Sequence, residues 1–493
     1  MAGYCCGSSS LPRPAAGNAA FRRRETRTRN AVRFRRPTVV FSALSDPFVL
    51  EIAEKLEDSL SVNAGDCAVP LQKLRDVSSQ SLLSRSWPSL KDEPFRFTDT
   101  SFLRQSRILP VSVPPSPSLE LPVMAGGSVS PHVLVVVDGR VVPSLSELSS
   151  LPEGVYVGGV SDLPPGPASE RVLEVLAQGD AFHGGDLFWD INGAGAPDLS
   201  VVYVPAGVRI VDEPLFLRFF SMEGGEIGTN SLFVSNPRTV VVVEKGAELA
   251  IVEEHLGIDG SDSKCYWSNS VMEIVVGDGA TLSHSYLQQQ SRNAAHIKWT
   301  FTKQESSSVY ELTEVSTGGR LGRHNLHVQQ MGPDTRTELS TFQMSRSNQT
   351  QDLHSKLVLE HPRGFSRQLH KCIVSYSSGQ AVFDGNVKVN RYAQQTDAGQ
   401  LTRSLLLAPR ATVNVKPNLQ IIADDVKCSH GAAISDLEED QLFYFQARGI
   451  DRDTAREALI FSFGAEVLGR LPYESLRKGV ASHIKTLLSA KEP

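Results

Sequence analysis

Short β runs repeated along the middle of the chain, tight turns of one shape, and a change to helical periodicity at both ends predict a mainly β protein with flanking α-helical regions. Between residues 132 and 430 the apolar, β-prone runs are broken by Gly, Pro and Asp, with almost no helical periodicity. Turns at residues 243–249, 276–282 and 407–413 share one pattern. The interval from Ala247 to Ala280 fits almost four times into the interval from Ala280 to Ala411. Coils of that period suggest a parallel β-helix, in which each coil buries its inward residues on its neighbours. A β-sandwich or barrel gives the same many-strand signal. On pattern alone both architectures stand.

The segments follow in order. Residues 1–45 hold nine arginines against one acid, Glu25, among serines and alanines. That composition predicts an organelle transit peptide in preference to a nucleic-acid-binding arm or a solvated basic tail, because the stretch is acid-poor, strictly N-terminal and ends where a capped helix begins. It lacks the apolar run of a secretory signal. The segment carries +8 of a chain whose formal charge is −6, which leaves −14 for the remainder and argues against nucleic acid as a partner. No window approaches a membrane span, the longest candidate being the apolar run 133–137 before Asp138.

Residues 46–109 predict a small helical region. Asp46 is a candidate N-cap, Pro47 suits the first helical position, and Val49, Ile52, Leu56 and Leu60 share a face. The pattern continues less regularly through Leu71 and Leu74 to Leu82 and Leu83. Residues 110–131 are rich in Pro and Ser and predict a linker. The β body is assigned to 132–430 and a helical domain to 431–493. In the latter, Ser435 and Glu438 have capping-box spacing, Leu442 and Phe445 follow on one face, and Gly449 can close the helix in a left-handed cap. A second helix starts near Asp451 with Leu459, Phe463 and Val467 aligned, and a third carries Leu476, Val480, Ile484 and Leu487. Such a tail is small for a core of its own. Its spare apolar surface is expected to meet another chain or the end of the β-helix.

Cysteines stand at 5, 6, 67, 265, 372 and 428, with no CxxC pair, so neither a disulfide framework nor a zinc finger is indicated. Isolated thiols suit a reducing compartment. Phosphate-loop, HExxH and GxSxG signatures are missing, and Gly193-Ala194-Gly195 is read as a turn. The chemistry-bearing stretch is 416–432, where Cys428 and His430 lie two residues apart in a β-prone run. Successive strand residues alternate faces, so the two side chains should point the same way. Thiolate and imidazole are both metal-ligand types, and two of them leave a site incomplete. A small buried hydrophobe beside an ordinary histidine is the plainer alternative. His370 and Cys372 repeat the arithmetic and rank second. His324 with His327, and His354 with His361, are taken as ordinary polar faces of β coils, and Asp424 and Asp425 as solvated turn carboxylates.

Stretch 416–432 resembles the signature of SufD-type chains of the SufB/SufD family, scaffold subunits of the SUF iron–sulfur cluster assembly system. The likeness extends to Asp352 and His354, Glu360-His361, 366–369 with Lys371, 381–383 with Gly385, 393–398 with Gln400 and Arg403, and 405–407. Residues 203–208 are similar to a turn shared by SufB and SufD, and 87–99 to the N-terminal region of SufD chains. Asn386 and Gly399 depart from the pattern away from the Cys428/His430 pair. The resemblance selects the long parallel β-helix over the sandwich. It implies a non-enzymatic scaffold in the chloroplast stroma that joins a SufB-type subunit through the β-helix and a SufC-type ATPase through tail residues 436–468, and binds no nucleotide itself. It further implies a transient iron–sulfur cluster shared with SufB, with His430 the leading candidate ligand at that interface and Cys428 the second. A SufB-type paralogue is the near rival; Cys428-Ser429-His430-Gly431 argues against it, since SufB-like chains resemble His-Glu-Ala in the matching strand. A carbohydrate-active β-helix enzyme is the distant one, for which a secretory signal and a catalytic acidic cluster are wanting.

Overall fold

A computed structural model describes residues 46–61, 69–112, 121, 131–179, 185–222, 224–258 and 264–489, all within the unit Ser45–Pro493. The transit segment 1–45 and most of the linker 110–131 lie outside them. Asp46 Oδ1 accepts from the Phe48 amide at 3.0 Å, and helix α1 (Pro47–Ser61) starts from this cap. Helix α2 (Val69–Leu82) and the short α3 (Ser101–Gln105) follow. Val49, Ile52, Leu56 and Leu82 bury against Trp87, Phe95, Phe188 and Trp267, whose rings meet largely edge to face.

The strands begin with β1 (Arg107–Pro110), β2 (Val133–Val137), β3 (Arg140–Val141) and β4 (Tyr156–Gly159). Two helices then interrupt them, α4 (Pro167–Gly179) and α5 (Leu187–Gly195), where the sequence predicts no helical periodicity. All nine residues of α5 are buried, so it has no polar face and no amphipathic period to detect. Gly193-Ala194-Gly195 is the last turn of this helix, and Asp186 caps its start by accepting from the Phe188 and Trp189 amides. Next come β5 (Ser200–Val204), β6 (Arg209–Ser221), β7 (Gly225–Glu226), β8 (Ser231–Ser235) and β9 (Arg238–Val243).

From there the chain winds regularly through β10 (Glu248–Gly257), β11 (Lys264–Val276), β12 (Thr281–Gln289), β13 (Ala295–Gln304), β14 (Val309–Ser316), β15 (Leu321–Gln330) and β16 (Arg336–Ser345). It continues through β17 (Thr350–Leu359), β18 (Phe365–Val374), β19 (Gln380–Val389), β20 (Thr396–Leu406), β21 (Thr412–Ile421) and β22 (Val426–Ser435). Odd strands from β9 to β21 stack in one sheet and even strands from β10 to β22 in the other, each pairing parallel with the strand of the next coil. The result is a parallel β-solenoid of about seven turns with helices at both ends. The sandwich is thereby set aside.

At one corner successive coils turn on a left-handed residue. Gly207, Gly246 and Gly279 supply it first, and Ser307, Asp334, Arg363 and Gln395 in later coils, with φ from +57° to +73°. Spacing along this corner is uneven, widest between Gly207 and Gly246 and narrowest between Ser307 and Asp334. Arg410, the left-handed residue of the third turn singled out by sequence, joins β20 to β21 and so lies on the opposite corner. Its near-multiple spacing is a coincidence.

Strand β22 runs past His430 to Ser435, so Ser435 ends a strand and does not cap a helix. Helix α6 (Glu439–Gln446) starts at Glu438, whose side chain makes no cap hydrogen bond. Gly449 does take the left-handed conformation after it, at φ +82°. Asp451 caps α7 (Arg452–Leu468) through the Asp453 and Thr454 amides, and α8 (Glu474–Ser489) is the last described helix. The buried face of α7 is Ile460, Gly464, Val467 and Leu468, one residue round from the expected Leu459 stripe. Together with Leu476, Val480 and Ile484 of α8 it packs on the outer face of the even-numbered sheet, on Val252, Leu287, Val315 and Phe342. The tail's apolar surface therefore covers a flank of the solenoid and leaves its last coil bare.

Candidate functional site

Pairing register defines what faces inward. Between β20 and β22, Ala398, Gln400, Thr402 and Ser404 are buried inward residues, opposite Cys428, His430, Ala432 and Ile434 respectively. Cys428 and His430 thus share the inward face of the last even-numbered strand. Cys428 is partly buried and packs on the solenoid core beside Val426 and Leu419. His430 is exposed. Among the described strands, β21 and β22 end their sheets, so each leaves one edge unpaired and the coil interior beneath them uncovered. Exposed Ile421, Ile422 and Ile434, each about half accessible, ring this end.

The electrostatics suit a resting thiol. Burial raises the Cys428 thiol above its ordinary value, with Asp397 adding to the effect and the Ala398 backbone opposing it. The group therefore rests protonated. No cluster of three or more His, Cys, Asp or Glu able to hold a metal occurs among the described residues. Cys428 and His430 by themselves amount to two potential donors on one face. Asp424 and Asp425 are exposed beside it.

The second pair, His370 and Cys372, is fully buried inside the solenoid. His370 stacks on Phe383 with centroids 4.4 Å apart, and Nδ1 pairs with Thr341 Oγ1 at 2.8 Å. Burial pushes His370 down to about 4 and Cys372 up to about 11, so both stay neutral. No exchanging ligand reaches them.

Of the remaining histidines, His361 is exposed in the turn after β17, as an ordinary polar position would be, but His324, His327 and His354 are not simple polar faces. His324 lies inside, bonded to Glu314 at 2.7 Å and Thr300 at 2.9 Å. It belongs to a buried polar network that sequence reasoning missed, centred on Glu253. The Glu253 carboxylate contacts Lys298 Nζ, His255 Nε2 at 2.7 Å and His284 Nε2 at 2.9 Å. Burial raises Glu253, yet Lys298 and the two imidazoles outweigh it and hold the carboxyl well below the usual range. His327 faces the other way, is buried against Phe301, and is pushed down by burial to about 3.

His354 belongs to a third group, on the outer face of the odd-numbered sheet. Arg323 and Asp352 are in direct contact, His354 Nε2 is 2.9 Å from Asp352 Oδ1, and Lys416 Nζ bridges Asp384 at 3.3 Å and Glu93 at 2.5 Å. Thr98 Oγ1 donates to Asp352, and Arg323 lies over the Phe95 ring. The row clasps segment 93–98 to the sheet. The resemblance marks Asp352, His354 and Lys416 together with residues 87–99, and their contact is what joins those blocks.

Comparisons with known proteins bear on the family of the chain. Residues 226–463 match the family model described as SUF system FeS cluster assembly, SufBD core domain. The chain is 59% identical over 447 residues to the chloroplastic protein ABCI7 of Arabidopsis thaliana, covering 91% of this chain and 92% of that one. It is 30% identical over 412 residues to the iron–sulfur cluster assembly protein SufD of Escherichia coli, covering 82% and 90%. Against the iron–sulfur cluster assembly protein SufB of Bacillus subtilis, identity is 25% over 291 residues, covering 58% and 59%.

Proposed function

We propose, from the premise that this chain belongs to the SufBD family of the SUF iron–sulfur cluster assembly system, that it is the SufD-type scaffold subunit of a plastid complex with SufB- and SufC-type partners. The observation that carries this reading is the unfinished last coil. Two donors, Cys428 and His430, share one inward face at a solenoid end that is apolar, unpaired and open. A second β-solenoid laid against β21 and β22 pairs those edges, covers Ile421, Ile422 and Ile434, and brings the missing ligands. The cluster built there is cargo, and a site split between two chains can release it when they part.

The chain itself does no catalysis and binds no nucleotide on this reading; hydrolysis belongs to the SufC-type ATPase. That partner docks on the helical tail, where α6 leaves Phe443 and Tyr444 largely exposed while α7 and α8 are committed to the solenoid flank. The similarity to a chloroplastic relative supports a plastid location, and the arginine-rich leader with free thiols supports the stroma. The coverage of the SufD relative exceeds that of the SufB relative, which favours the SufD role.

Replacement His430→Ala tests the reading in the co-expressed complex. The variant should fold and co-purify with both partners, because the side chain is exposed, yet yield little or no cluster on reconstitution. Undiminished cluster formation removes His430 from the role.

A further inference from the structure

We infer that Gln400 is the positioning residue for His430, holding its ring in one tautomer so that the nitrogen facing the solenoid end is free to bind iron. This rests on the reading of His430 as a cluster ligand. Leu339, Gln368, Gln400 and His430 occupy one inward row on successive coils. Gln368 Nε2 donates to Ser355 Oγ at 2.6 Å, and Gln400 Nε2 donates to Gln368 Oε1 at 2.8 Å. The donors of this two-amide ladder thus point back into the solenoid. Gly385 on the facing sheet makes room for it: a Cβ there would stand 2.4 Å from Gln400 Nε2.

The ladder ends on an unused acceptor. Gln400 is 3% exposed, and its Oε1 is buried without a hydrogen-bond partner among the described residues. A buried carbonyl left unpaired is costly, so the row calls for a donor on the next coil, about 4.8 Å further along. His430 holds that position. A neutral imidazole has one N–H and one lone pair. Giving the N–H to Gln400 fixes the lone pair on the other nitrogen, which is the usual way a hydrogen-bonded neighbour orients a ligating histidine. Nothing in residues 416–432 alone announces Gln400, which lies a whole coil upstream and meets His430 only through the solenoid register.

The test uses the mature chain with 15N-labelled histidines, at a pH above 8 where an ordinary imidazole is neutral. The His430 ring resonances are assigned by their loss in His430→Ala. Wild type should show a single tautomer, Gln400→Met a mixture, and Gln400→Glu, which keeps an acceptor oxygen, a single tautomer again. Gly385→Ala, which displaces the amide without removing it, should behave like Gln400→Met and serves if that variant folds poorly. Equal tautomer ratios in wild type and the displaced variants overturn the inference. In the assembled complex, Gln400→Met should weaken cluster retention by about 10-fold, against near-complete loss for His430→Ala. Cluster formation that survives His430→Ala sinks the ligand role and leaves the tautomer result to decide the positioning role by itself.

Discussion

Single side chains show how charge is accommodated inside this solenoid. Glu253 and Lys298, fully buried and far apart in sequence, meet across the two sheets. Removing one partner of such a pair leaves a buried charge uncompensated, so Lys298→Met is expected to cost about 3–5 kcal/mol. The double variant Glu253→Gln with Lys298→Met should recover much of that loss. Denaturant titration of the three chains checks it, and equal stability of wild type and Lys298→Met would show that the pair contributes nothing. That Cys428 and His430 share a face was legible in sequence because alternation within one strand is a local rule, while their candidacy as ligands came from the resemblance alone. Glu253, Lys298 and Gln400 were not legible, since only the parallel register between coils brings their partners within reach.

Among the elements, α7 shows how the tail is held. Gly464 lies against Phe342 of β16, where an added Cβ would meet the ring at 2.9 Å. Gly464→Val should therefore lift the helix and destabilise the protein by about 1–3 kcal/mol, read as a lower melting temperature; an unchanged value would mean that the helix is not seated there. Helix α6 gives the opposite expectation. Phe443→Asp with Tyr444→Asp removes exposed rings, so stability should hold while co-purification with the SufC-type ATPase is lost. Retained binding would place that partner elsewhere. Helix α1 with its cap at Asp46 and the start of α7 near Asp451 were readable, because each depends on neighbours within one turn, whereas α4, inside the stretch read as β, was missed. The fully buried α5 was not readable either, and the Ser435–Glu438 spacing misled because pairing to β20 extends β22 through Ser435 and outweighs a cap.

For the molecule as one body, the buried histidines set its response to acid. His255, His284, His296, His327 and His370 are each lowered from the ordinary value, burial being the foremost cause, with His370 near 4 and His327 near 3. The folded state keeps them neutral, whereas the unfolded chain takes up protons below about pH 6.5. Their contribution is complete above that pH and is lost as pH falls toward 4 and below. Melting temperature should be level between pH 7 and 8 and drop steadily from pH 6.5 to 5; a level profile across that range contradicts the buried network. The solenoid itself was half legible, because short strands and turns identify a β body but the coil length drifts along the corner from Gly207 to Gln395 and blurs the repeat. Which end stays open could not be read at all, since it depends on where α7 and α8 come to rest.

The decisive measurement is nitrogen hyperfine spectroscopy on the complex of this chain with SufB- and SufC-type partners, reconstituted with iron and sulfide and reduced, with 15N-histidine in this chain alone. A 15N coupling to the cluster that disappears in His430→Ala is the predicted result. A cluster of normal yield with no histidine coupling from this chain would contradict the shared site at the last coil.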